Sequence, residues 1–166
     1  AKLLGIPGES ELMGYGVSAC ATCDGAFFRD VHVAVVGGGD SAMEEADFLT
    51  KFASKVSILH RREEFRASKI MLKRAQDNPK IEFLTNTVVD EMVSLDDKRR
   101  LKGAKVTNTK TNESTLMELS GLFVAIGHKP NTEIFAGQLD TDDKGYLQVK
   151  GTRTSVEGVF AAGDVA

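Results

Sequence analysis

Residues 31–42 read VHVAVVGGGDSA, and this stretch decides the fold. The near-continuous apolar run over 31–36 is typical of a parallel strand that is covered on both faces. It leads directly into three glycines, and the segment 40–52 that follows carries apolar residues at helical spacing. The pattern predicts a strand, a tight turn and a helix, with Ser41 and Glu44 resembling a capping box at the helix start.

The glycine turn has the pattern of a dinucleotide-binding crossover. In that pattern the first glycine makes the turn, the second lets the backbone approach a pyrophosphate, and a small third residue lets helix and strand pack closely. Gly37, Gly39 and Ala42 occupy these places, and Asp40 and Ser41 begin the helix, whose free N–H groups attract phosphate. A glycine-rich hairpin is the alternative interpretation, which the flanking strand and helix disfavour.

The following segments continue an α/β pattern. Two further parallel strands are predicted at 56–59 and 81–84. The helix between them is predicted at 68–76 and should end before the proline at position 79. Period-two alternation then predicts an antiparallel meander layered on the parallel sheet, with strands at 87–93, 101–109 and 115–119. Turn residues join these strands at 96–97 and 111–112, and an apolar strand at 121–127 follows. The predicted fold class is a Rossmann-like, three-layer α/β domain of parallel sheet, helices and meander.

Composition narrows the possible partners. The 166 residues are 42% hydrophobic and 27% charged, with a net charge of −3, which disfavours a nucleic-acid binder. No apolar run approaches the roughly 20 residues of a membrane span, and the N-terminus lacks the apolar core of a signal peptide. We therefore expect no nucleic-acid partner, no membrane partner and a cytoplasmic location.

A basic segment follows the second predicted strand and contains His60, Arg61, Arg62 and Arg66. Sites that prefer NAD carry an acidic residue near this place, where it bonds the ribose 2′-hydroxyl. Guanidinium groups would instead hold a 2′-phosphate, and each charge-assisted bond is worth about 1.5 to 3 kcal/mol. The alternative is a solvated charged turn, but the position directly after this strand favours NADPH.

The two cysteines, Cys20 and Cys23, form a CxxC motif that Asp24 follows. Such a pair can cycle between disulfide and dithiol, and the neighbouring carboxyl can relay a proton. A zinc site is disfavoured because a closed site needs four ligands, and a pair of buried structural cysteines is disfavoured by the small, polar neighbours. Because a dithiol does not readily take a hydride from a nicotinamide, we expect a flavin between the two.

Five segments together resemble the low-molecular-weight, NADPH-dependent thioredoxin reductases: ACATCDG at 19–25, GGGDSAMEEA at 37–46, HRREEFRAS at 60–68, AIGHKPN at 125–131 and GVFAAGD at 158–164. The resemblance implies that NADPH reduces FAD, that FAD reduces a Cys20–Cys23 disulfide, and that the dithiol reduces thioredoxin. It also implies that Asp24 is the acid and that Gly163 and Asp164 belong to the FAD site. The implied NADP contacts are Ser41, His60, Arg61, Arg62, Arg66, Ile126 and Tyr146.

The resemblance further implies a domain organisation. It places an NADPH-binding domain with the CxxC motif at 6–128, part of an FAD-binding domain at 129–166 and a linker remnant at 1–5. The family's upstream FAD fingerprint and its downstream continuation are missing, so we expect a fragment of a reductase that is a homodimer at full length. One alternative is a stand-alone NADPH-binding or dithiol module without flavin or catalytic activity of its own. A second is a chain that binds FAD and reduces thioredoxin by itself, and a third is a ferredoxin-dependent relative without a 2′-phosphate site.

Overall fold

The computed structural model describes residues 1–95 and 98–166. Two short 3₁₀ helices cover Gly25–Phe27 and Glu133–Phe135. The other elements are, in chain order, α1 (Glu9–Leu12), β1 (Val17–Ser18), α2 (Ala21–Asp24), β2 (His32–Val36), α3 (Asp40–Leu49), β3 (Lys55–Leu59), α4 (Lys69–Gln76), β4 (Ile81–Leu84), β5 (Thr87–Leu95), β6 (Lys98–Asn108), β7 (Ser114–Glu118) and β8 (Gly121–Val124). None of the described helices is both long and apolar enough to cross a membrane.

A five-stranded parallel sheet forms the centre of residues 1–127, with strand order β1-β8-β2-β3-β4. Strand β2 pairs in parallel with β3 on one side and with β8 on the other. Its residues Val33, Ala34 and Val35 are completely buried, because both faces of the sheet are covered. The predicted parallel strands and the α/β fold class are therefore confirmed.

The two faces of this sheet are covered by different layers. Val33 and Val35 pack on one face in a cluster with Met43 of α3. Ala34 points to the opposite face, where it packs in a cluster with Met92 of the antiparallel sheet β5-β6-β7. Alternate residues of one strand thus serve two cores. The predicted meander on the parallel sheet is confirmed.

The turns of the meander can be compared with prediction only in part. The turn at 111–112 is present, because the Asn112 N–H donates to the carbonyl of Asn108 and Asn112 adopts a left-handed φ of 59°. The turn predicted at Asp96 and Asp97 lies outside the described residues.

Helix α3 begins two residues earlier than the capping-box prediction requires, because an N-cap at Ser41 would make Ala42 the first helical residue. Its N-cap is Gly39, whose backbone is extended, and its first helical residue is Asp40. Ser41 therefore lies inside the first turn and cannot cap it. The capping-box prediction is wrong, since the glycine turn already supplies the extended residue from which the helix starts.

Glu45 of α3 carries a partly buried carboxyl whose Oε2 has no hydrogen-bond partner among the described residues. Burial raises the pKa of Glu45 from its ordinary 4.5 to about 7. The protonated carboxyl is thus favoured in the folded state, and its contribution to stability is complete below about pH 4.5 and is lost as the pH rises towards about 7.

We expect Glu45→Gln to raise the free energy of unfolding near pH 8 by roughly 1 to 2 kcal/mol, after allowing for residual solvent around the carboxyl. The substitution removes the buried charge, so little gain should remain near pH 4. Urea unfolding at the two pH values measures the difference. An equal effect at both would contradict the assigned cause.

Residues 128–166 form a second compact unit with little regular structure. Isolated β-bridges join Thr141 to Leu147 and Arg153 to Phe160. The Thr132 hydroxyl donates to the carbonyl of Gly145 at 2.5 Å, which ties the start of this unit to its centre.

Candidate functional site

A cleft of about 700 Å³ opens where β2, β3 and β8 end, at their carboxyl ends. Open parallel sheets bind their ligands at this edge, and small-molecule sites typically enclose about 300 to 1,000 Å³. The cleft brings together seven of the predicted site residues: Gly37, Gly39, Ser41, His60, Arg61, Arg66 and Ile126. Three others, Asp40, Ala42 and Arg62, are not part of the lining that the described residues form.

The three positions of the glycine pattern have different surroundings. A Cβ added at Gly37 would lie 2.5 Å from the carbonyl oxygen of Ala125 and 2.7 Å from the Cβ of Ala42. Ala42 itself is completely buried between helix and strand. By contrast, a Cβ at Gly39 would meet no described atom within 4 Å, so its backbone faces open space in the cleft. Gly37 and Ala42 therefore serve packing, while Gly39 leaves room for a ligand.

We expect Gly37→Ala to destabilise the chain by about 1 to 3 kcal/mol, because the backbone carbonyl of Ala125 cannot move away cheaply. Gly39→Ala is the matched control, since its only cost is a poorer N-cap of about 1 kcal/mol at most. Urea unfolding of the two variants beside the unaltered chain measures both costs. A Gly37→Ala variant no less stable than Gly39→Ala would contradict this packing argument.

The mouth of the cleft is positively charged. Arg61 and Arg66 line it, together with Lys2, and in the described ranges no Asp or Glu does. Neither arginine has a carboxylate oxygen within 4.0 Å in that part of the chain. The one pairing acid on the same segment, Glu63, is bound instead to Lys110 at 2.5 Å. The two guanidinium groups are thus available to a bound anion.

His60 holds the basic segment against the glycine turn. Its ring is 7% exposed, and a Cβ added at Gly38 would lie 2.3 Å from it. The ring stacks on Phe65 with centroids 4.8 Å apart, and Nε2 lies 3.0 Å from the carbonyl oxygen of Glu64. Since a carbonyl only accepts, Nε2 carries the hydrogen that it donates. Only Nδ1 is then left for a ligand.

Cys20 and Cys23 form a disulfide within the same unit. Cys23 is exposed and Cys20 partly exposed, at the N-cap of α2, where its Sγ accepts from the Cys23 N–H at 3.2 Å. This exposure does not fit the alternative of buried structural cysteines. The sulfur pair is accessible to a redox partner.

Asp24 is held beside the disulfide by Ser18, a residue that the sequence analysis missed. The Ser18 hydroxyl donates to Asp24 Oδ2 at 2.6 Å and accepts from the Cys20 N–H at 3.0 Å. Ser18 is only 5% exposed, at the end of β1. Nothing in its local pattern marks it, because the contact arises only when α2 folds back beside this strand.

Part of the cleft wall comes from residues that no sequence motif predicts. Residues Lys2, Leu3, Leu4 and Ile6 line it, as do the first residues of β5. The Lys2 N–H donates to the carbonyl of Gly127 at 2.9 Å, which places the segment assigned to a linker remnant in the first unit. No local signal could have identified this long-range contact.

Three predicted site residues, Tyr146, Gly163 and Asp164, belong to the second unit. The Tyr146 N–H donates to Asp142 Oδ1 at 2.9 Å, and its side chain is partly exposed. Gly163 has a left-handed φ of 88°, which favours glycine, and Asp164 is exposed. These positions are compatible with ligand contact from a tight turn.

Known proteins that are similar to this chain in sequence and structure include several thioredoxin reductases. A thioredoxin reductase of Mycolicibacterium smegmatis is 56% identical over 99% of this chain and 53% of its own length. A bifunctional thioredoxin reductase/thioredoxin of Mycobacterium leprae is 55% identical over 99% of this chain and 36% of its own length. The crystal structure of Lactococcus lactis thioredoxin reductase in its FR conformation superposes with a TM-score of 0.87 at 42% identity, over 99% of this chain and 54% of that one.

The chain thus spans about half the length of the reductases that it matches. The profile of one family, "Pyridine nucleotide-disulphide oxidoreductase", matches residues 1–166 throughout. With a glycine turn, a basic cleft and an exposed CxxC disulfide in one unit, the chain belongs to the pyridine nucleotide-disulphide oxidoreductase family.

Proposed function

We propose that this chain supplies the NADPH-binding and disulfide-carrying part of a thioredoxin-disulfide reductase. One observation carries the proposal: a single unit holds an exposed Cys20–Cys23 disulfide together with a nucleotide-sized cleft lined by Arg61 and Arg66. The relatives named thioredoxin reductase support the choice of thioredoxin as the partner that the disulfide serves.

The cleft fits NADPH by three of its properties. The backbone at Gly39 faces open space next to the start of α3, where a pyrophosphate can meet free N–H groups. Ser41 lines the same end of the cleft and can add a hydroxyl contact. Arg61 and Arg66 can hold the 2′-phosphate that distinguishes NADPH from NADH. Arg62 and Ile126 complete the proposed contacts of the first unit.

The proposed reaction transfers two electrons to the disulfide. A bound FAD would supply the electron pair for this reduction, received as a hydride from NADPH. Cys20 and Cys23 then accept two electrons and two protons, and their S–S bond becomes two thiols. Asp24, held by Ser18, is placed to supply one of these protons. One of the two thiols then loses its proton and attacks the disulfide of thioredoxin. The second cysteine resolves the mixed disulfide, which regenerates the Cys20–Cys23 bond and releases thioredoxin as a dithiol.

Within this proposal, residues 129–166 contribute to an FAD-binding domain, in which Gly163 and Asp164 contact the flavin. The left-handed turn at Gly163 and the exposed carboxylate of Asp164 support that role. The remaining flavin contacts would come from the rest of a whole reductase, which we propose is a cytoplasmic homodimer. The relatives, which are about twice as long, support this division of the site.

A chimera tests the proposal. Residues 1–166 would replace the matching half of the Mycolicibacterium smegmatis reductase, to which they are 56% identical. We expect the purified chimera to show flavin absorbance and to reduce thioredoxin with NADPH in strong preference to NADH. The 166-residue chain alone should bind NADPH without turnover. A folded, flavin-loaded chimera that does not reduce thioredoxin would overturn the proposal.

A further inference from the structure

Three consecutive backbone N–H groups close the basic segment onto the glycine turn. Arg66 and Ala67 donate to the carbonyl oxygen of Gly38, at 2.7 and 3.0 Å. Ser68 donates to the side chain of Asp40, with 2.6 Å between N and Oδ1. The segment is therefore attached to the turn at the end where α4 begins, while His60 attaches it at the other end.

Asp40 is an acid at the start of α3, a place where its charge suits the helix but would oppose a bound phosphate. It is the first residue of α3, next to the cleft end at which a pyrophosphate would bind, and it is not part of the described lining of that cleft. A carboxylate here would repel a bound phosphate, so direct phosphate binding is not its purpose and another one is needed. Its contact with the Ser68 N–H is such a purpose, because it fixes where the segment carrying Arg66 leaves the turn.

We propose that Asp40 is a positioning residue that sets cofactor specificity without contacting the cofactor. Resting on the proposed NADPH site, this inference assigns Asp40 the role of holding the 2′-phosphate-binding segment at a fixed distance from the pyrophosphate-binding turn. This role depends on the carboxylate oxygen that accepts the Ser68 N–H, and not on the negative charge of Asp40.

The oxygen and the charge can be separated by two substitutions. Asp40→Ala removes the acceptor of the Ser68 N–H, so only the Gly38 carbonyl still holds this end of the segment. NADPH affinity should then fall about tenfold, the equivalent of one hydrogen bond to a charged group. NADH affinity should not fall, because NADH has no 2′-phosphate for the segment to hold, so the ratio of NADPH to NADH affinity should drop about tenfold. Asp40→Asn keeps an oxygen acceptor and should restore the preference for NADPH.

A second pair of substitutions tests the donor. Ser68 has a φ of −58°, which proline can adopt, so Ser68→Pro removes the N–H that donates to Asp40. Ser68→Ala keeps the N–H and removes only the hydroxyl cap of α4. The proline variant should lose the NADPH preference as Asp40→Ala does, and the alanine variant should keep it. If Asp40→Ala fails to fold, the two Ser68 variants still test whether this hydrogen bond sets the preference for NADPH.

Calorimetric titration of the 166-residue chain with NADPH and with NADH gives the ratio of the two affinities for each variant, and thermal unfolding confirms that each is folded. Equal affinities in the unaltered chain would refute the proposed NADPH site itself. An unaltered chain that prefers NADPH, with Asp40→Ala and Ser68→Pro keeping the same ratio, would refute the positioning role alone. Loss of preference in Asp40→Asn as well would assign the effect to charge and also overturn the inference.

Discussion

Replacing Cys23 with serine in the chimera is expected to abolish thioredoxin reduction, with a loss of several orders of magnitude. The serine hydroxyl cannot form or exchange a disulfide, so the electron pair has no carrier between flavin and thioredoxin. Cys20→Ser should have the same effect, because the two sulfurs of this bond act as one unit. Turnover is measured as NADPH oxidation in the presence of thioredoxin.

An artificial acceptor provides the control for this experiment. Ferricyanide takes electrons from a reduced flavin directly, so its reduction by NADPH should survive both cysteine substitutions. A Cys23→Ser chimera that still reduces thioredoxin would show that electrons leave by another route, and the proposed role of the disulfide would be wrong.

Replacing Arg61 and Arg66 together with alanine should weaken NADPH binding by at least about 100-fold. Each removes one charge-assisted contact to the 2′-phosphate, and two contacts of about 1.5 kcal/mol each amount to a factor of that order. NADH lacks this phosphate, and its affinity should change less than about threefold. Titration of the 166-residue chain with both nucleotides measures the two effects.

A charge-matched variant excludes a general electrostatic cause. Lys102 and Lys105 are exposed on β6 and, within the described structure, do not line the cleft. Lys102→Ala with Lys105→Ala removes the same net charge and should leave NADPH binding nearly unchanged. Arg62→Ala separately tests the third predicted arginine, which lies outside the lining. Equal losses for NADPH and NADH in the Arg61 and Arg66 variant would refute a 2′-phosphate site.

Local patterns were sufficient to predict most of the fold. The apolar run of β2, the glycines after it and the helical spacing of α3 each encode backbone conformation within a few residues. The second crossover strand and the meander followed from the same kind of local evidence. The capping box at Ser41 failed because a helix start depends on which residue is extended, and here the turn placed that residue at Gly39.

The candidate site was predictable as a set of residues and less so as a geometry. The basic motif predicted cofactor contacts for Arg61, Arg62 and Arg66 alike, but among these three only Arg61 and Arg66 line the cleft. Side chains at neighbouring positions of a segment point in different directions, so residue type alone does not tell which of the three arginines line the cleft. The contribution of Ser18 near the disulfide was likewise invisible before folding.

By itself, the sequence determined a parallel α/β core, a phosphate-binding turn, a basic segment after the second strand and a CxxC motif, because each is encoded by residue type and short spacing. Only the tertiary structure decided which contacts join these segments to one another. The Asp40 carboxylate accepts a hydrogen bond from the Ser68 N–H, 28 positions further along the chain. The Lys2 N–H donates to the carbonyl of Gly127, at the other end of the first unit. Such contacts are set by the packing of strands and helices on one another, which no local pattern contains.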